Sequence, residues 1–284
     1  MIRYLCKAIL FAAVSVLLLT SNLSAAAPAA VPAGLTIERI RTNGELVLGT
    51  PGDFPPFSVS SAQGDLIGFD ISLARELARS MGVNLRIVRL EFQELIPNLK
   101  KGTVDIIMSG LSITPKRNME IAFVGPYGNS GQAFLGREDI VESLSEPLDL
   151  NRNGLKIAVL QDTTAEMTVR SVLPKTEVIY TRSLDQALIK LLNGDIDGLI
   201  SDYPFCKVSE YRYKDKGLVV YDKIFSFEQL GIGVAADDPL FINLLTNYLN
   251  LLVGSGALKG MQEFWFKSSD WIVTLPDLTI FKDF

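Results

Sequence analysis

The feature that most constrains the fold is an internal repeat. Residues 99–110 read LKKGTVDIIMSG, and residues 191–202 read LLNGDIDGLISD. Both segments fit the pattern L-x-x-G-x-[VI]-D-x-[IL]-x-S-[GD], which predicts a helix end, a glycine turn and a strand that ends at serine. Each copy lies downstream of an apolar opening strand, at 45–49 and 156–160 respectively. One such unit could arise by chance in an α/β protein, but two matching units behind two opening strands predict paired lobes.

The rest of the chain alternates short apolar strands with amphipathic helices, which predicts an α/β fold with largely parallel sheets. The first long helix is expected from about Asp70 to Met81, with Asp70 as its N-cap and Gly82 as its C-terminal stop. In open parallel sheets, ligands bind beyond the carboxyl ends of the strands. We therefore expect the strand tips Ser109-Gly110 and Ser201-Asp202 to line one shared cleft.

The N-terminus has the pattern of a secretory signal peptide. Two basic residues precede an apolar stretch at 8–19, and the small residues at 24–27 offer a cleavage site. A membrane anchor is the alternative, but the apolar stretch is shorter than the about 20 residues that a spanning helix needs. We expect removal of residues 1–26 and a soluble mature protein in the periplasm.

Composition disfavours several classes of function. The chain contains no histidine, which removes Ser-His and Cys-His nucleophiles and His-rich metal sites. Cys206 is the single cysteine after residue 26, so no intrachain disulfide is expected. Loss of residues 1–26 removes two cations and no acid, which changes the formal charge from −5 to −7 and argues against a nucleic-acid partner. There is no phosphate-loop or dinucleotide motif. We expect no cofactor, no metal and no enzyme activity.

Two charged residues stand near the strand tips. Arg117 lies seven residues beyond Gly110, where a guanidinium can bind a carboxylate through two parallel hydrogen bonds. The alternative is a solvated arginine on the turn after Pro115. Asp202 ends the second repeat strand, where its carboxylate could accept hydrogen bonds from an ammonium group. The alternative is the N-cap of a helix that begins at Tyr203-Pro204, and spacing alone leaves both alternatives open.

Further candidates flank these two. Residues 160–164 join the second opening strand to a helix expected to begin near Thr164, and free N–H groups at a helix start can bind an anion. An ordinary Thr or Asp cap is the alternative. Phe54 and Phe92 follow strands at the same edge and could pack against an aliphatic ligand stem. Phe57 is expected in the core.

Taken in order, these residues resemble the solute-binding proteins of polar amino-acid ABC transporters, the extracellular solute-binding protein family 3. The resemblance runs from about Leu35 to Trp265 and depends on the shared order of short motifs that are each weak alone. The motifs are GxxxDFxPF at 49–57, GFD at 68–70, GxxD at 102–105, SGLSITPxR at 109–117, PY at 126–127, SG at 130–131, TTxE at 163–166 and SD at 201–202.

The resemblance implies a two-lobed type II periplasmic-binding fold. Each lobe is then a mostly parallel sheet flanked by helices, and two crossing strands, at about 128–131 and 227–230, join lobes that close on a ligand. The predicted organisation is a signal peptide at 1–26, a linker at 27–36, lobe 1 at 37–127 plus 231–284, and lobe 2 at 128–230.

The resemblance also implies ligand contacts and partners. Arg117 would bind the ligand's α-carboxylate, and Asp202 its α-amino group. The other expected contacts are hydroxyl or backbone groups, packing rings and one residue beside the ligand's side chain, at Phe54, Phe92, Ser109, Gly110, Ser112, Leu160, Thr163 and Thr164. The expected partners are a small amino acid and an inner-membrane ABC permease, and the protein is expected to be a monomer.

One departure from the family pattern concerns the ligand's side chain. Family members that take basic or amide side chains often have an acidic residue two positions after Gly49, where this chain has Pro51. Asp53 is a loop neighbour of that position and is not expected to replace the missing acid. The sequence therefore leaves the identity of the amino acid open.

Two other functions fit the same fold. A cyclohexadienyl (prephenate or arogenate) dehydratase would use a carboxylic acid in the cleft to expel water, and Glu166 stands where such an acid could lie. In binding proteins a glutamate at this point is a first-turn helix acid favoured by the helix dipole. A ligand-sensing receptor module is the other alternative.

Overall fold

The computed structural model describes residues 36–278. The predicted signal peptide and nearly all of the predicted linker lie outside the described residues. The strands are β1 Glu45–Thr50, β2 Asp53–Phe54, β3 Ser58–Ser60, β4 Leu66–Ile67, β5 Asn84–Arg89, β6 Ile106–Ile107, β7 Ala122–Ser130, β8 Gln132–Arg137, β9 Lys156–Leu160, β10 Glu177–Thr181, β11 Gly198–Asp202, β12 Leu218–Val220 and β13 Glu228–Val234.

The α-helices alternate with these strands. They are α1 Thr36–Asn43, α2 Phe69–Met81, α3 Leu95–Lys100, α4 Pro115–Asn118, α5 Glu138–Glu142, α6 Thr164–Val172, α7 Leu184–Asn193, α8 Tyr203–Arg212, α9 Pro239–Ser255 and α10 Ala257–Lys267. Short 3₁₀ turns lie at Phe92–Glu94, Pro147–Leu150, Lys214–Lys216 and Ile272–Thr274.

Two five-stranded sheets form the framework of residues 36–278. The first has the order β5-β1-β6-β13-β7, in which β1 is parallel to β5 and β6, and β13 is antiparallel to its neighbours. The second has the order β10-β9-β11-β8-β12, in which β9 is parallel to β10 and β11, and β8 is antiparallel to its neighbours. The two sheets therefore share one pattern. The predicted two-lobed α/β fold is confirmed, and we call the parts built on these sheets the first lobe and the second lobe.

The aspartate of each repeat copy has the same structural role. Asp105 Oδ2 accepts a hydrogen bond from the amide of Val47 at 2.8 Å, and Asp197 Oδ2 accepts one from the amide of Lys156 at 2.8 Å. The other oxygen of each carboxylate accepts from an arginine side chain. Each aspartate thus joins its repeat strand to the opening strand of its own lobe, so the sequence repeat reflects a repeated architecture.

The glycine of each copy ends a helix. Gly102 follows α3 with φ of +71°, and Gly194 follows α7 with φ of +78°. Glycine adopts this left-handed conformation without the steric cost that a Cβ atom adds. The chain then reverses into β6 or β11, whose residues are all buried. The two strands consequently end at corresponding places in the two lobes.

Helix α2 differs from its prediction at one end. It ends at Gly82 in the left-handed conformation, as predicted, but its N-cap is Gly68. The prediction of Asp70 as the N-cap is wrong, because Asp70 lies inside the first turn and is fully buried. Its Oδ2 accepts a hydrogen bond from the amide of Gly110 at 2.7 Å. This bond attaches the first repeat tip to α2.

The two lobes are connected through paired strands. Strand β7 leads into β8 of the second sheet, and β13 returns antiparallel to β7, with Ser130 opposite Glu228 and Gly128 opposite Leu230. The predicted crossings at 128–131 and 227–230 fall on this pairing. The lobe boundaries at 127/128 and 230/231 lie within these strands and stay a prediction.

The last described residues pack against both lobes. Thr274 accepts a hydrogen bond through its carbonyl from the amide of Ala62 at 2.8 Å, and the Leu278 amide donates to the hydroxyl of Tyr213 at 3.3 Å. Among residues 36–278, no single helix has the length and apolar character to cross a bilayer, although α9 and α10 reach them as a pair bent by 78°.

Candidate functional site

A cavity lies between the two lobes, at the ends of the strands that the repeat defines, and the space between its atoms, including space open to solvent, is about 440 Å³. It is lined by every predicted site residue except Ser109, namely Phe54, Phe92, Gly110, Ser112, Arg117, Leu160, Thr163, Thr164 and Asp202. Ser109 is fully buried beside the cavity and does not line it. The structure thus brings together residues that are up to 148 positions apart in the sequence.

Arg117 belongs to the first lobe and is buried rather than solvated. It lies in the single turn of α4, where Thr114 caps the helix by accepting a hydrogen bond from the Arg117 amide at 3.2 Å. Pro115 occupies the first helical position, where its missing N–H is not needed. This short capped turn fixes the backbone from which the side chain extends, and the solvated alternative is excluded.

The guanidinium of Arg117 is held on several sides. Its Nη1 donates to the carbonyl of Ser112 at 3.0 Å, and its Nη2 donates to the carbonyl of Asp162, a residue of the second lobe, at 3.4 Å. The guanidinium carbon lies 5.3 Å from the ring centroid of Phe92, a distance suited to a cation–π contact. Burial lowers the pKa of Arg117, and nearby carboxylates oppose that shift. The result is an oriented cation in the cavity wall.

Asp202 faces the cavity from the second lobe. It occupies the N-cap position of α8, yet its side chain makes no capping hydrogen bond. Instead, Oδ2 accepts from Gln132 Nε2 at 3.3 Å, and Oδ1 has no hydrogen-bond partner among the described residues. Burial and the neighbouring carboxylate of Glu228 raise the pKa of Asp202 to about 7. The side chain is therefore available to a ligand, and the capping alternative does not describe it.

The start of α6 borders the cavity between these two charges. Thr163 is the N-cap, and its hydroxyl accepts from the amide of Glu166 at 3.3 Å and donates to the carbonyl of Leu160 at 2.6 Å. Thr163, Thr164 and Ala165 all line the cavity. The predicted helix start near Thr164 is correct, and it places the positive end of the helix dipole at the cavity wall.

Glu166 lies outside this cavity. Its Oε2 accepts from the amide of Asp162 at 2.7 Å, and its Oε1 pairs with Arg170 at 2.8 Å. Both carboxylate oxygens are therefore engaged in the first turns of α6. This is the environment of a helix-dipole acid and differs from that of an acid directed at a substrate in the cleft.

The aromatic wall depends on a glycine. Phe54 lies 4.9 Å, centroid to centroid, from Phe57, which is fully buried in the core as predicted. Gly110 has φ of +58°, and a Cβ atom there would lie 2.7 Å from Phe54 Cε1. The first repeat tip can therefore approach the ring only because it ends in glycine.

Asp53 reaches the cavity, contrary to the expectation for a loop neighbour. It lines the wall beside Pro51, and its Oδ2 accepts a hydrogen bond from the amide of Leu184 in the second lobe at 2.9 Å. Burial raises the pKa of Asp53. The adjacent Asp185 also has a raised pKa, about 7, because of burial and the charge of Asp53. Asp53 reaches the cavity because the loop after β1 bends toward α7.

Two buried polar residues that were not predicted from the sequence, Gln132 and Glu228, lie behind the cavity wall. Glu228 Oε2 accepts hydrogen bonds from the hydroxyls of Ser112 and Thr164, the latter at 2.8 Å. Gln132 Nε2 lies 3.0 Å from Glu228 Oε1 and 3.1 Å from Thr164 Oγ1. Both residues adjoin or belong to the predicted crossing strands, so a polar residue at a crossing was the signal that could have identified them.

Comparison with known proteins places this architecture in a family. The model of the bacterial extracellular solute-binding proteins, family 3, matches residues 46–268. The chain belongs to this family. The resemblance in the sequence is thereby confirmed, and the match includes every residue that lines the cavity.

Individual proteins and solved structures are similar to this chain. The histidine-binding periplasmic protein of Salmonella typhimurium (strain LT2) is 33% identical over 259 residues, which cover 88% of this chain and 94% of that protein. A putative ABC-transporter binding component from Wolinella succinogenes, solved in complex with lysine, has a TM-score of 0.78 and 31% identity and covers 81% of this chain and 99% of its own. The ancestral amino acid-binding protein AncCDT-1, a precursor of cyclohexadienyl dehydratase, has a TM-score of 0.76 and 33% identity, covering 82% and 100%.

Proposed function

We propose that this protein captures one small amino acid between its two lobes and delivers it to an ABC permease. The observation that carries the proposal is the pair Arg117 and Asp202. These side chains of opposite charge line one cavity from opposite lobes. The family relatives that bind histidine and lysine, and the ancestral amino acid-binding protein, support the same class of ligand.

The chemistry of the two ends matches a zwitterion. At the first-lobe end, the Arg117 guanidinium would bind the α-carboxylate through charge-assisted hydrogen bonds, with the first turn of α6 nearby. At the second-lobe end, Asp202 would accept from the α-ammonium group, and its unpartnered Oδ1 is the natural acceptor. A ligand that touches both ends stabilises the contact between the lobes, because only the closed form offers both charges at once.

The ligand's side chain would extend along Leu160 and toward Asp53. Phe54 and Phe92 provide apolar walls along this path. Asp53 supports a polar or cationic group at the far end despite Pro51, but its carboxylate already accepts the amide of Leu184. The proposal is therefore an amino acid whose backbone groups carry the recognition.

The cellular setting of the proposal follows from the family. The Salmonella relative is named as a periplasmic protein, and the N-terminal pattern of two cations followed by an apolar stretch supports export. We propose a periplasmic location after cleavage of residues 1–26, two lobes divided near 127/128 and 230/231, a monomer, and an inner-membrane permease as the partner.

Isothermal titration calorimetry against the twenty L-amino acids tests the proposal. We expect saturable one-to-one binding of at least one member, with a negative heat-capacity change as the cavity closes. The absence of binding to every amino acid in the panel would remove the proposed function. Native mass spectrometry of the purified protein detects any amino acid carried through purification, and so shows whether a bound ligand already occupies the site.

The ancestral relative AncCDT-1 is a precursor of a dehydratase, so catalysis is a second candidate. The contacts of Glu166 with Asp162 and Arg170 argue against it, because they occupy the carboxylate outside the cavity. We propose a binding protein without enzyme activity. Formation of phenylpyruvate from prephenate by the purified protein, abolished by Glu166→Gln, would reverse this ranking.

A further inference from the structure

We propose that Glu228 is a positioning residue that turns the cavity hydroxyls into acceptors and so makes the site selective for a ligand ammonium group. This inference rests on the proposed function and extends it to a residue outside the cavity wall. Glu228 is buried at the first residue of β13, where the chain returns from the second lobe to the first.

The carboxylate of Glu228 gathers donors from both lobes. Oε2 accepts from Ser112 in the first lobe and from Thr164 in the second, the latter at 2.8 Å. Oε1 accepts from Gln132 Nε2 at 3.0 Å and from Ser226 Oγ at 2.9 Å. A carboxylate has only acceptor atoms, so each of the two hydroxyls must donate its single proton to the hydrogen bond with Glu228.

The consequence for the cavity concerns the direction of those hydroxyls. Ser112 and Thr164 line the cavity, whereas Glu228 does not. With their protons committed to Glu228, the hydroxyls present lone pairs toward the ligand. Lone pairs attract an ammonium group and repel a carboxylate.

The electrostatic surroundings strengthen this assignment. Glu228 and Asp202 are two buried carboxylates that share the side chain of Gln132, at 3.0 and 3.3 Å from its Nε2. Arg117 is the cation that lies near both. A ligand ammonium therefore meets a wall of acceptors, and the ligand carboxylate is left to Arg117 and to backbone amides. The division lets the site distinguish an amino acid from a carboxylic acid of the same shape.

Substitution Glu228→Gln tests the inference through selectivity. The amide of glutamine can donate to a hydroxyl, which reverses that hydroxyl so that its proton points into the cavity. Two matched pairs serve as ligands: L-lysine with 6-aminohexanoate, and L-histidine with 3-(imidazol-4-yl)propanoate. In each pair the second compound lacks only the α-amino group. The dissociation constants of both members are measured for each protein, and the ratio within the pair is the readout.

We expect the wild-type protein to prefer the amino acid and Glu228→Gln to reduce that preference by about 10-fold, the effect of one hydrogen bond to a charged group. Ser226→Ala is the matched control, because Ser226 donates to the same carboxylate from outside the cavity. It removes a hydrogen bond from Glu228 without reversing a cavity hydroxyl. The control should therefore keep the wild-type ratio even if its melting temperature falls.

A second pair of variants keeps the inference testable if Glu228→Gln does not fold. Thr164→Val removes the acceptor and should lower the preference for the amino acid, whereas Thr164→Ser retains the hydroxyl and should restore it. An unchanged ratio in Glu228→Gln, or in Thr164→Val where Glu228→Gln is not folded, overturns the role of Glu228. If the wild type binds neither these amino acids nor any other of the twenty, the proposed function fails instead, so the two failures are distinguishable.

Discussion

The first and second copies of the repeat run through the same glycine turn and the same aspartate before they diverge at their last residue. Asp105 and Asp197 have equivalent hydrogen bonds to the opening strands, and Gly102 and Gly194 have nearly equal φ angles. The first copy then ends in a glycine and the second in Asp202. The shared part builds two equivalent lobes.

The divergent part gives the cleft its polarity. Gly110 leaves room for Phe54, and the chain beyond it carries Arg117, the cation of the cavity wall. The second tip carries the buried carboxyl group of Asp202 itself. Duplicated structure thus provides two facing surfaces, and a few different residues at their edges give them opposite charges. An amino-acid zwitterion likewise carries one positive and one negative charge, on adjacent groups.

The largest effect is expected when the cationic side is removed. We expect Arg117→Ala to weaken amino-acid binding by about 2 kcal/mol or more, roughly 30-fold, because a buried ligand carboxylate would lose its partner. Calorimetry measures this loss. Arg79→Ala is the control, because Arg79 is exposed on α2 and pairs with Glu76 away from the cavity. Equal affinities of Arg117→Ala and the wild type would remove Arg117 from the site.

The anionic side should have a somewhat smaller effect. Asp202→Asn keeps the shape of the side chain and removes its charge, and we expect affinity to fall by about 10- to 30-fold. Asp197→Asn is the matched comparison within the same repeat copy, because Asp197 serves the amide of Lys156 and not the cavity. It should lower the melting temperature and leave the affinity of the folded protein intact. The reverse pattern would contradict the assignment of the two aspartates.

The affinity for the amino acid should also depend on pH through Asp202. The pKa of Asp202 is about 7 in the protein without ligand, and a ligand ammonium favours the ionised form, so binding releases a proton below that pH. We expect affinity to rise roughly eightfold from pH 6 to pH 7.5 and then to level off. Titrations in buffers of different ionisation enthalpy report the proton. A flat profile in the wild type, or the same slope in Asp202→Asn, would contradict this account.

Buried carboxylates also make the stability of the folded protein depend on pH, and here stability falls as pH rises whereas affinity increases. Asp70, Asp185 and Asp202 have folded-state pKa values of about 7, above the ordinary value of 3.8. The folded protein therefore holds protons that the unfolded chain releases, and stability from this source declines as pH rises from about 4 to about 7. The ligand-free protein should melt at a lower temperature at pH 7 than at pH 5, and a bound amino acid should narrow the difference.

Substitution of the glycine at the first tip tests the close contact between that tip and the ring of Phe54. Gly110→Ala places a Cβ atom 2.7 Å from Phe54 in a left-handed conformation, so we expect about 1–2 kcal/mol of destabilisation together with weaker binding. Thermal unfolding and calorimetry measure the two effects. Unchanged affinity would show that the contact between the tip and the ring has no part in the site.

The smallest effects are expected at the shared turns. Gly102→Ala and Gly194→Ala each introduce a Cβ atom at a left-handed residue, and neither residue lines the cavity. We expect each to cost about 1 kcal/mol of stability with no change in affinity. Similar losses in the two variants would support the equivalence of the copies, and a change in affinity for either would contradict it.

Much of the fold could be predicted from local patterns, because the repeat marks a helix end, a glycine turn and a strand in each lobe. The helix end at Gly82 and the helix start at Thr164 follow from backbone preferences that act over a few residues. The role of Asp70 could not be predicted this way. Its partner is the amide of Gly110, 40 positions away, so the local N-cap preference gave the wrong answer.

In the site, too, local patterns predict some residues, and contacts between distant segments determine others. Asp202 ends a strand and Arg117 lies in the short helix α4 that follows the other strand tip, and a general rule for parallel sheets places ligands at these tips. Glu228 was missed, and Asp53 was not expected to reach the cavity, because the contacts of both residues depend on the meeting of two lobes. Asp53 reaches the amide of Leu184, and Glu228 joins Ser112 to Thr164. No pattern within one lobe predicts such contacts.

A crystal structure with the tightest-binding amino acid of the calorimetric panel would show the orientation of the ligand. We expect one molecule in the cavity between the lobes, with its α-carboxylate on the Arg117 guanidinium and its α-ammonium within hydrogen-bond distance of Asp202. A ligand in the reverse orientation, or one bound outside this cavity, would remove Arg117 and Asp202 from their proposed roles.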